Sequence, residues 1–356
     1  MINPKTFTTK HIREIQQQSK RDPALIERVI FAFGLLEAIA RSGLSFIFKG
    51  GTSLMLLMDK PRRFSTDIDI VVESGAEVDK YLEITATLWP FVKSMEQVRG
   101  AVSNIEKRHF KFSFTSPLTD REQTILLDIL FEENPYSTTI DKSIENELLL
   151  IEPPAVTVRL PNVNCILADK LTAFAPHTSG IPYSVDKEME IIKQLYDISA
   201  LVGYMDDFAE VKSNYHDIVK TELRYRGLDA GADDALLDAI QTAACVAGRG
   251  QYHPEEYPLL QRGITNIRNH IYSENFNGEV AVQRACVVMC LAAAILTNQD
   301  GMPAFKEDSY YTAADIRSDE YKKLGYIKKM NLFAYKHLVE AVEMLSKSLQ
   351  KQRSRK

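Results

Sequence analysis

Two aspartates placed two positions apart carry the first chemical signal in the sequence. Asp67 and Asp69 lie in the stretch TDIDIVVE, where charged and apolar residues alternate. On a β-strand, residues i and i+2 point to the same face, so both carboxylates project together while Ile68 and Ile70 face the other way. Two like charges held this close favour a hard divalent cation between them. Alone, the pattern is also typical of a solvated strand edge.

A third carboxylate interrupts another apolar segment. Asp128 stands within ILLDILF, which predicts a strand that could lie beside the first. A buried charge without a partner destabilises the fold by several kcal/mol, so a carboxylate in such surroundings needs a counter-charge. The three aspartates together therefore predict one metal site, occupied by Mg²⁺ or Mn²⁺.

A turn of small residues precedes the aspartate pair. Gly50, Gly51, Thr52 and Ser53 connect a predicted strand to a predicted helix. Glycines let backbone N–H groups approach an anion, the helix start carries partial positive charge, and Ser53 can donate to a phosphate oxygen. An ordinary turn with a Thr or Ser N-cap fits the same residues, and the spacing is not that of a Walker loop. Beside a two-carboxylate metal site, however, the turn predicts a nucleoside triphosphate bound with Mg²⁺.

The elements that must position these residues change character near Pro161. Before it, the patterns predict helices, a short strand ahead of the glycines, the Asp-x-Asp strand, a helix over VDKYLEITATLWPFV, two antiparallel strands and a third short strand, AVTVRLP. After it, helical patterns dominate. We predict an α+β chain, with a mixed or antiparallel sheet in a lobe of residues 1–162 and a mainly α-helical lobe of residues 163–356.

Composition and charge limit the class of protein. The chain has 356 residues, 45% of them hydrophobic, which suits two globular lobes. A net charge of −5 does not suit a polycation that coats nucleic acid, so no DNA partner is predicted. The N-terminus lacks the apolar core of a signal peptide, and the apolar run 285–297 is shorter than the about 20 residues that span a bilayer. The sequence therefore predicts a cytoplasmic protein without membrane contact, whose four cysteines pack in the core.

The stretch KGGTSL followed by RRFSTDIDIVV resembles the signature of the AbiEii-type nucleotidyltransferase toxins. This family includes the MenT toxins and belongs to the DNA polymerase β-like nucleotidyltransferase superfamily. The resemblance is specific over residues 46–72 and looser over about 120–200. It implies a polymerase β-like nucleotidyltransferase lobe and transfer of a nucleoside monophosphate from a nucleoside triphosphate, with Mg²⁺ or Mn²⁺ as cofactor.

The resemblance implies roles for individual residues. Its metal-binding carboxylates match Asp67, Asp69 and Asp128, the last of which would help to activate the attacking hydroxyl. The residues that it implies for nucleotide binding are Gly50, Gly51, Thr52, Ser53, Arg63 and Lys170. Arg63 also fits an ordinary solvated loop.

A lysine and an aspartate in the helical lobe extend this match. LADKLTAF supplies Lys170, and KQLYDISAL supplies Lys193 and Asp197. The resemblance implies that Lys170 and Asp197 contribute to the catalytic cleft. Gln194 departs from the pattern, because relatives often carry an acid at its position. The alternative for Lys170 is a surface lysine whose stem lies along an amphipathic helix.

The resemblance also implies a biological setting: the toxin of a toxin–antitoxin or phage-defence system, with the 3′ end of tRNA as acceptor and a cognate antitoxin as partner. In residues 321–337, lysines alternate with aromatic residues. This pattern is typical of grooves that bind RNA. It is equally typical of an amphipathic helix whose aromatic residues form a core stripe. Two other hypotheses stay open, a nucleotidyltransferase that modifies a small molecule or a protein hydroxyl, and a catalytically silent nucleotide-binding module.

Phosphorylation of Ser53 or Ser65 would bring negative charge to the site, so Ser65 is a candidate regulatory residue.

Overall fold

The computed structural model describes residues 1–97 and 106–353, and the chain forms two compact units. The first unit consists of Met1–Asn162 together with Asn269–Glu274. The second consists of Val163–Arg268 and Asn275–Lys356. The return of Asn269–Glu274 to the first unit is a feature that no sequence pattern indicated.

The first unit combines helices with strands. Its helices are α1 (Thr9–Ser19), α2 (Pro23–Ser42), α3 (Gly50–Leu57) and α4 (Asp79–Thr87). Its strands are β1 (Ile47–Lys49), β2 (Ile68–Val72), β3 (Phe91–Glu96), β4 (Lys107–Thr115), β5 (Glu122–Phe131), β6 (Thr139–Ser143) and β7 (Thr157–Pro161). Helix α2 begins at Pro23 and ends before Gly43, whose φ of 87° is left-handed, as its sequence predicted.

A five-stranded mixed sheet forms the centre of the first unit. Its strand order is β1-β2-β5-β4-β3, in which β2 and β5 are parallel and the other neighbours antiparallel. Its buried face packs on α2, where the rings of Phe31 and Phe114 stack with centroids 3.7 Å apart. Strands β6 and β7 form a separate antiparallel pair, of which the sequence indicated only β7. The predicted α+β class is confirmed.

One predicted helix of the first unit is too long. The pattern VDKYLEITATLWPFV indicated a helix through residue 92, but α4 ends at Thr87 and β3 begins at Phe91. Pro90 has no N–H to donate to a helix, and its ring clashes with the preceding turn. The residues after it instead pair with β4 as an edge strand.

The second unit is built mainly from helices, as predicted. They are α5 (Val163–Ala173), α6 (Glu188–Leu201), α7 (Phe208–Arg226), α8 (Ala232–Ala247), α9 (Tyr257–Asn266), α10 (Gly278–Leu296), α11 (Asp308–Ala313), α12 (Ile327–Met330) and α13 (Leu332–Arg353).

Helix α10 contains the most apolar run of the chain. It has 19 residues, which makes it longer than the apolar run 285–297 and, by length and composition, able to cross a membrane. However, 72% of its apolar window is buried within the protein, where α10 packs against α8 and α13. Cys286 and Cys290 on this helix are fully buried, and burial raises the pKa of the Cys286 thiol to about 12. All four cysteines are free and buried, which confirms their predicted place in the core.

The segment of residues 321–337 contributes two of its aromatic rings to the core. Tyr321 and Tyr335 are 5% and 0% exposed, so they offer no surface on which a base could stack. Lys328 lies 3.0 Å from Asp315, so its charge is already paired. Tyr321 and Tyr335 therefore match the alternative of an aromatic core stripe, whereas Phe333 is 57% exposed, so an RNA-binding role of this segment stays a prediction.

His177 lies between two carboxylates in the second unit. Its Nδ1 is 2.8 Å from Asp238 and its Nε2 is 2.8 Å from Glu256. Partial burial alone would lower its pKa, but the hydrogen bonds and charges of Asp238 and Glu256 outweigh burial and raise the pKa of His177 above its usual value.

A raised folded-state pKa makes the contribution of His177 to stability depend on pH. Its contribution to the free energy of unfolding is fully present below the unfolded-state pKa of about 6.5 and is lost as pH rises through the higher folded-state value. We expect the stability difference between the wild type and His177→Gln to shrink as pH rises above about 6.5. Urea denaturation of both proteins across this range measures it, and a difference that does not change with pH would contradict the expectation.

Candidate functional site

Asp69 and Asp128 lie side by side on neighbouring strands. The parallel pairing of β2 with β5 places Asp69 opposite Asp128, on strands that lie about 4.8 Å apart. Residues paired in this way point to the same face of a sheet. Their neighbours Ile68 and Ile70 are buried, whereas both aspartates are partly exposed. The predicted alternation of faces and the predicted adjacency of the two strands are therefore both present.

Asp67 lies immediately before β2, at the start of the same alternating run. Its Oδ1 is 3.9 Å from a guanidinium nitrogen of Arg28 on α2, and its side chain is 45% exposed. The hydroxyl of Thr52 donates to the backbone carbonyl of Asp67 over 2.6 Å. This bond ties the small-residue turn directly to the first carboxylate.

The carboxylate oxygens of Asp67, Asp69 and Asp128 do not all lie within 4.8 Å of one another. Within residues 1–97 and 106–353, the set of three ligand-type side chains whose donor atoms all lie within 4.8 Å is His253, Glu255 and Glu256. Asp67 instead faces Arg28, and Asp128 Oδ1 lies 2.7 Å from His109 Nδ1. These basic neighbours offset the repulsion between like charges. A metal site formed by all three aspartates stays a prediction.

The donor set of Asp67, Asp69 and Asp128 nevertheless suits Mg²⁺ or Mn²⁺. Both ions accept carboxylate oxygen, and Mg²⁺ usually retains several waters beside one or two carboxylates. The side chains of Asp67 and Asp128 are 45% and 37% exposed, which leaves room for such waters.

The turn between β1 and α3 packs against Asp69. Gly50 has a left-handed φ of 79°, and a Cβ at this position would clash with Asp69 Oδ2 and lie 2.8 Å from Asp69 Cγ. A Cβ at Gly51 would lie 2.5 Å from Arg63 Nη2 and 2.7 Å from Ser65 Oγ. Only glycine allows the backbone to approach these polar groups so closely. The sequence therefore placed the turn correctly, next to the Asp-x-Asp strand.

Replacing Gly50 by alanine should impair both folding and the site. The left-handed φ costs about 1–3 kcal/mol for a residue with a Cβ, and the methyl group must also displace Asp69. Gly75→Ala is the matched control, because Gly75 has a φ of 80° but nothing within 4 Å of the added Cβ. Urea denaturation and nucleotide-transfer assays should show that both variants lose stability but only Gly50→Ala loses transfer. Equal activity in the two variants would contradict this assignment.

Thr52 and Ser53 support the turn from inside the protein. Both residues are 0% exposed, and the hydroxyl of Ser53 donates to the carbonyl of Gly50 over 2.9 Å. The expectations that Ser53 contacts phosphate and that it accepts phosphorylation do not suit this position. Lys49, the N-cap of α3, makes no side-chain cap, so the backbone N–H groups of the first helical turn are the better anion donors.

Arg63 is buried beside the turn. It is 4% exposed, and its Nη1 donates to the carbonyl of Phe64 over 3.2 Å. The loop that carries it pairs with the returning segment, since Arg63 forms a β-bridge with Ile271 and Phe64 N–H donates to His270. The buried position of Arg63 favours a role in packing against Gly51 over the predicted contact with phosphate. Sequence analysis missed this because the pairing joins segments about 200 positions apart. Ser65, by contrast, is partly exposed.

Lys170 and Asp197 form a buried ion pair in the second unit. Lys170 on α5 places its Nζ 3.1 Å from Asp197 Oδ2 on α6, and their side chains are 8% and 2% exposed. The alternative of a solvated surface lysine is therefore wrong. Gln194, at the position where an acid was expected, is also buried, and its Oε1 has no hydrogen-bond partner among the residues that the structure describes. Whether Lys170 and Asp197 serve nucleotide transfer stays a prediction.

The comparisons with known proteins agree with the resemblance seen in the sequence. A family model described as nucleotidyl transferase AbiEii toxin, type IV toxin–antitoxin system, matches residues 34–266, which confirms the resemblance. A sequence search among curated proteins found no match.

Three solved structures are similar to the chain. JHP933 from Helicobacter pylori is 13% identical, with 76% of this chain and 93% of that chain covered and a TM-score of 0.42. A putative nucleotidyltransferase from H. pylori is 13% identical, with coverages of 78% and 99% and a TM-score of 0.43. An antigenic nucleotidyltransferase-like protein from Paracoccidioides brasiliensis is 12% identical, with coverages of 62% and 95% and a TM-score of 0.36.

Proposed function

We propose, from the premise that this chain belongs to the nucleotidyl transferase AbiEii toxin family of type IV toxin–antitoxin systems, that it transfers a nucleoside monophosphate from a nucleoside triphosphate to the 3′ end of tRNA. The observation that carries the proposal is the placement of Asp69 opposite Asp128, with the Gly50 turn packed against Asp69. The reaction requires Mg²⁺ or Mn²⁺ and takes place in the cytoplasm. A cognate antitoxin restrains it, as the family description implies.

In this proposal, each part of the first unit has one task. Asp67, Asp69 and Asp128 would hold the divalent metal, which would supply positive charge to the phosphates and favour attack by a hydroxyl. The first-turn N–H groups of α3 bind phosphate oxygens of the nucleotide. The acceptor hydroxyl oxygen forms a bond to the α-phosphorus, the bond to the bridging oxygen breaks, and pyrophosphate leaves. Asp128 accepts the proton of the attacking hydroxyl.

Lys170 is proposed to supply positive charge to the triphosphate. Phosphoryl-type transfer depends mainly on positioning and on neutralisation of charge, so a lysine at the phosphates would contribute directly. Asp197 orients this lysine through the ion pair of 3.1 Å.

The test is transfer of label to RNA. The protein is incubated with Mg²⁺, total RNA and each α-labelled nucleoside triphosphate in turn, and the RNA is separated on a gel. We expect label in the tRNA band, none with EDTA, and none with periodate-treated tRNA, which lacks the terminal hydroxyls. Label on a small molecule or on a protein would favour those acceptors instead. Binding of Mg²⁺ and nucleotide without transfer to any acceptor would favour a silent module.

A further inference from the structure

A histidine on the neighbouring strand holds the carboxylate of Asp128. Strands β4 and β5 are antiparallel, and their register places His109 directly opposite Asp128. His109 Nδ1 lies 2.7 Å from Asp128 Oδ1. The side chain of His109 is 18% exposed and that of Asp128 is 37% exposed, so the histidine is mostly buried while the carboxylate keeps access to solvent.

The charge of the carboxylate determines which group donates in the hydrogen bond between His109 and Asp128. An ionised carboxylate only accepts hydrogen bonds, so His109 Nδ1–H donates to Asp128. The bond occupies Oδ1 and fixes the plane of the carboxylate, while Oδ2 stays available for another ligand. Histidine can therefore orient Asp128 without blocking it.

The same row of the sheet has a basic residue at each end. The register aligns Lys49, Asp69, Asp128 and His109 across four neighbouring strands, which places all four on one face. Lys49 directs its Nζ toward the ring of Tyr136, 5.6 Å from the ring centroid. At the other end of the row, His109 makes a short hydrogen bond to the carboxylate of Asp128.

We propose that His109 is a positioning residue that orients Asp128 for metal binding, an inference that rests on the proposed function of this site. It acts through Asp128 and does not itself touch nucleotide or metal. Outer-shell partners of this kind hold a ligand in the rotamer that the metal needs, and their loss typically weakens metal affinity by about 10–100-fold.

Two isosteric substitutions separate positioning from simple packing. In His109→Asn the side-chain amide nitrogen takes nearly the place of Nδ1, whereas in His109→Gln it lies nearer the place of Nε2. We expect Mn²⁺ affinity to fall about 10-fold or more in His109→Ala and His109→Gln and to recover largely in His109→Asn. A residue that only fills space would not distinguish Asn from Gln in this way.

The experiment is a titration of the full chain with Mn²⁺ alone, followed by the electron paramagnetic resonance signal of the free ion. Asp128→Asn should lose the same binding as His109→Ala, and His216→Asn, on α7, should bind as the wild type does. Urea denaturation in parallel confirms that each variant is folded. Unchanged Mn²⁺ affinity in folded His109→Ala, or binding that does not depend on Asp128, would overturn the proposal.

These outcomes remain separate from those of the transfer assay. If His109 controls Mn²⁺ binding but no acceptor receives label, the proposed function fails and the positioning role stands. If tRNA receives label but Mn²⁺ binding is the same without His109, the positioning role alone fails.

Discussion

Asp69→Asn is expected to reduce nucleotide transfer on the order of 10³-fold or more, because it removes a metal-binding charge at the reacting phosphates. Asparagine has nearly the same shape, so the contact of residue 69 with the Gly50 turn is kept. Asp69 also lies opposite a like charge on Asp128, and removing one of the two relieves repulsion. We expect the variant to remain folded in urea denaturation while activity is lost.

The control is Asp141→Asn on β6. Asp141 lies 3.3 Å from Arg159, and both side chains are more than 60% exposed. Exposed ion pairs contribute about 0–1 kcal/mol, so this variant should match the wild type in both stability and transfer. Initial rates of label transfer and urea denaturation of the three proteins measure both effects. An Asp69→Asn protein that retained a tenth of the wild-type rate, about 100-fold more than expected, would exclude this carboxylate from the chemistry.

Lys170→Met should give the largest loss of stability. The pair of Lys170 with Asp197 is almost fully buried, so removal of the lysine leaves a carboxylate in the protein interior without this counter-charge. Loss of one partner from a buried pair typically lowers the free energy of unfolding by about 3–5 kcal/mol. Lys10→Met is the control, since its ion pair with Glu14 spans one helical turn on α1, is exposed to solvent and contributes only about 0.2–0.5 kcal/mol.

A double variant separates the structural role of Lys170 from its proposed role at the nucleotide. Lys170→Met combined with Asp197→Leu replaces the ion pair by apolar side chains, which is often neutral or stabilising. We expect the double variant to regain most of the lost stability and to remain inactive in label transfer. Recovery of transfer together with stability would mean that Lys170 serves only the fold.

The parts of the site that local periodicity encodes were predictable. The alternation in TDIDI predicted that Ile68 and Ile70 are buried, and the glycines indicated a turn, which lies against Asp69. Asp128 interrupts an apolar run, which indicated a strand beside β2. In each case, the residues adjacent in sequence indicate which face of the strand or turn a side chain occupies.

The parts that depend on distant pairing were not predictable. His109 meets Asp128 because of the register between β4 and β5, and a shift by one residue would have turned it to the other face. Arg63 is buried because its loop pairs with a segment around Ile271. Ser53 is a serine in a glycine-rich turn, yet the packing of α3 rather than its residue type hides it from solvent.

The most direct test of the account is a crystal of the protein soaked with Mn²⁺ and a non-hydrolysable nucleoside triphosphate, with the ion located by its anomalous scattering. We expect a peak bound by Asp69 and Asp128, with phosphate density at the first turn of α3. A peak held only by His253, Glu255 and Glu256, whose donor atoms lie within 4.8 Å of one another, would contradict this site. So would nucleotide density remote from Gly50 and Gly51.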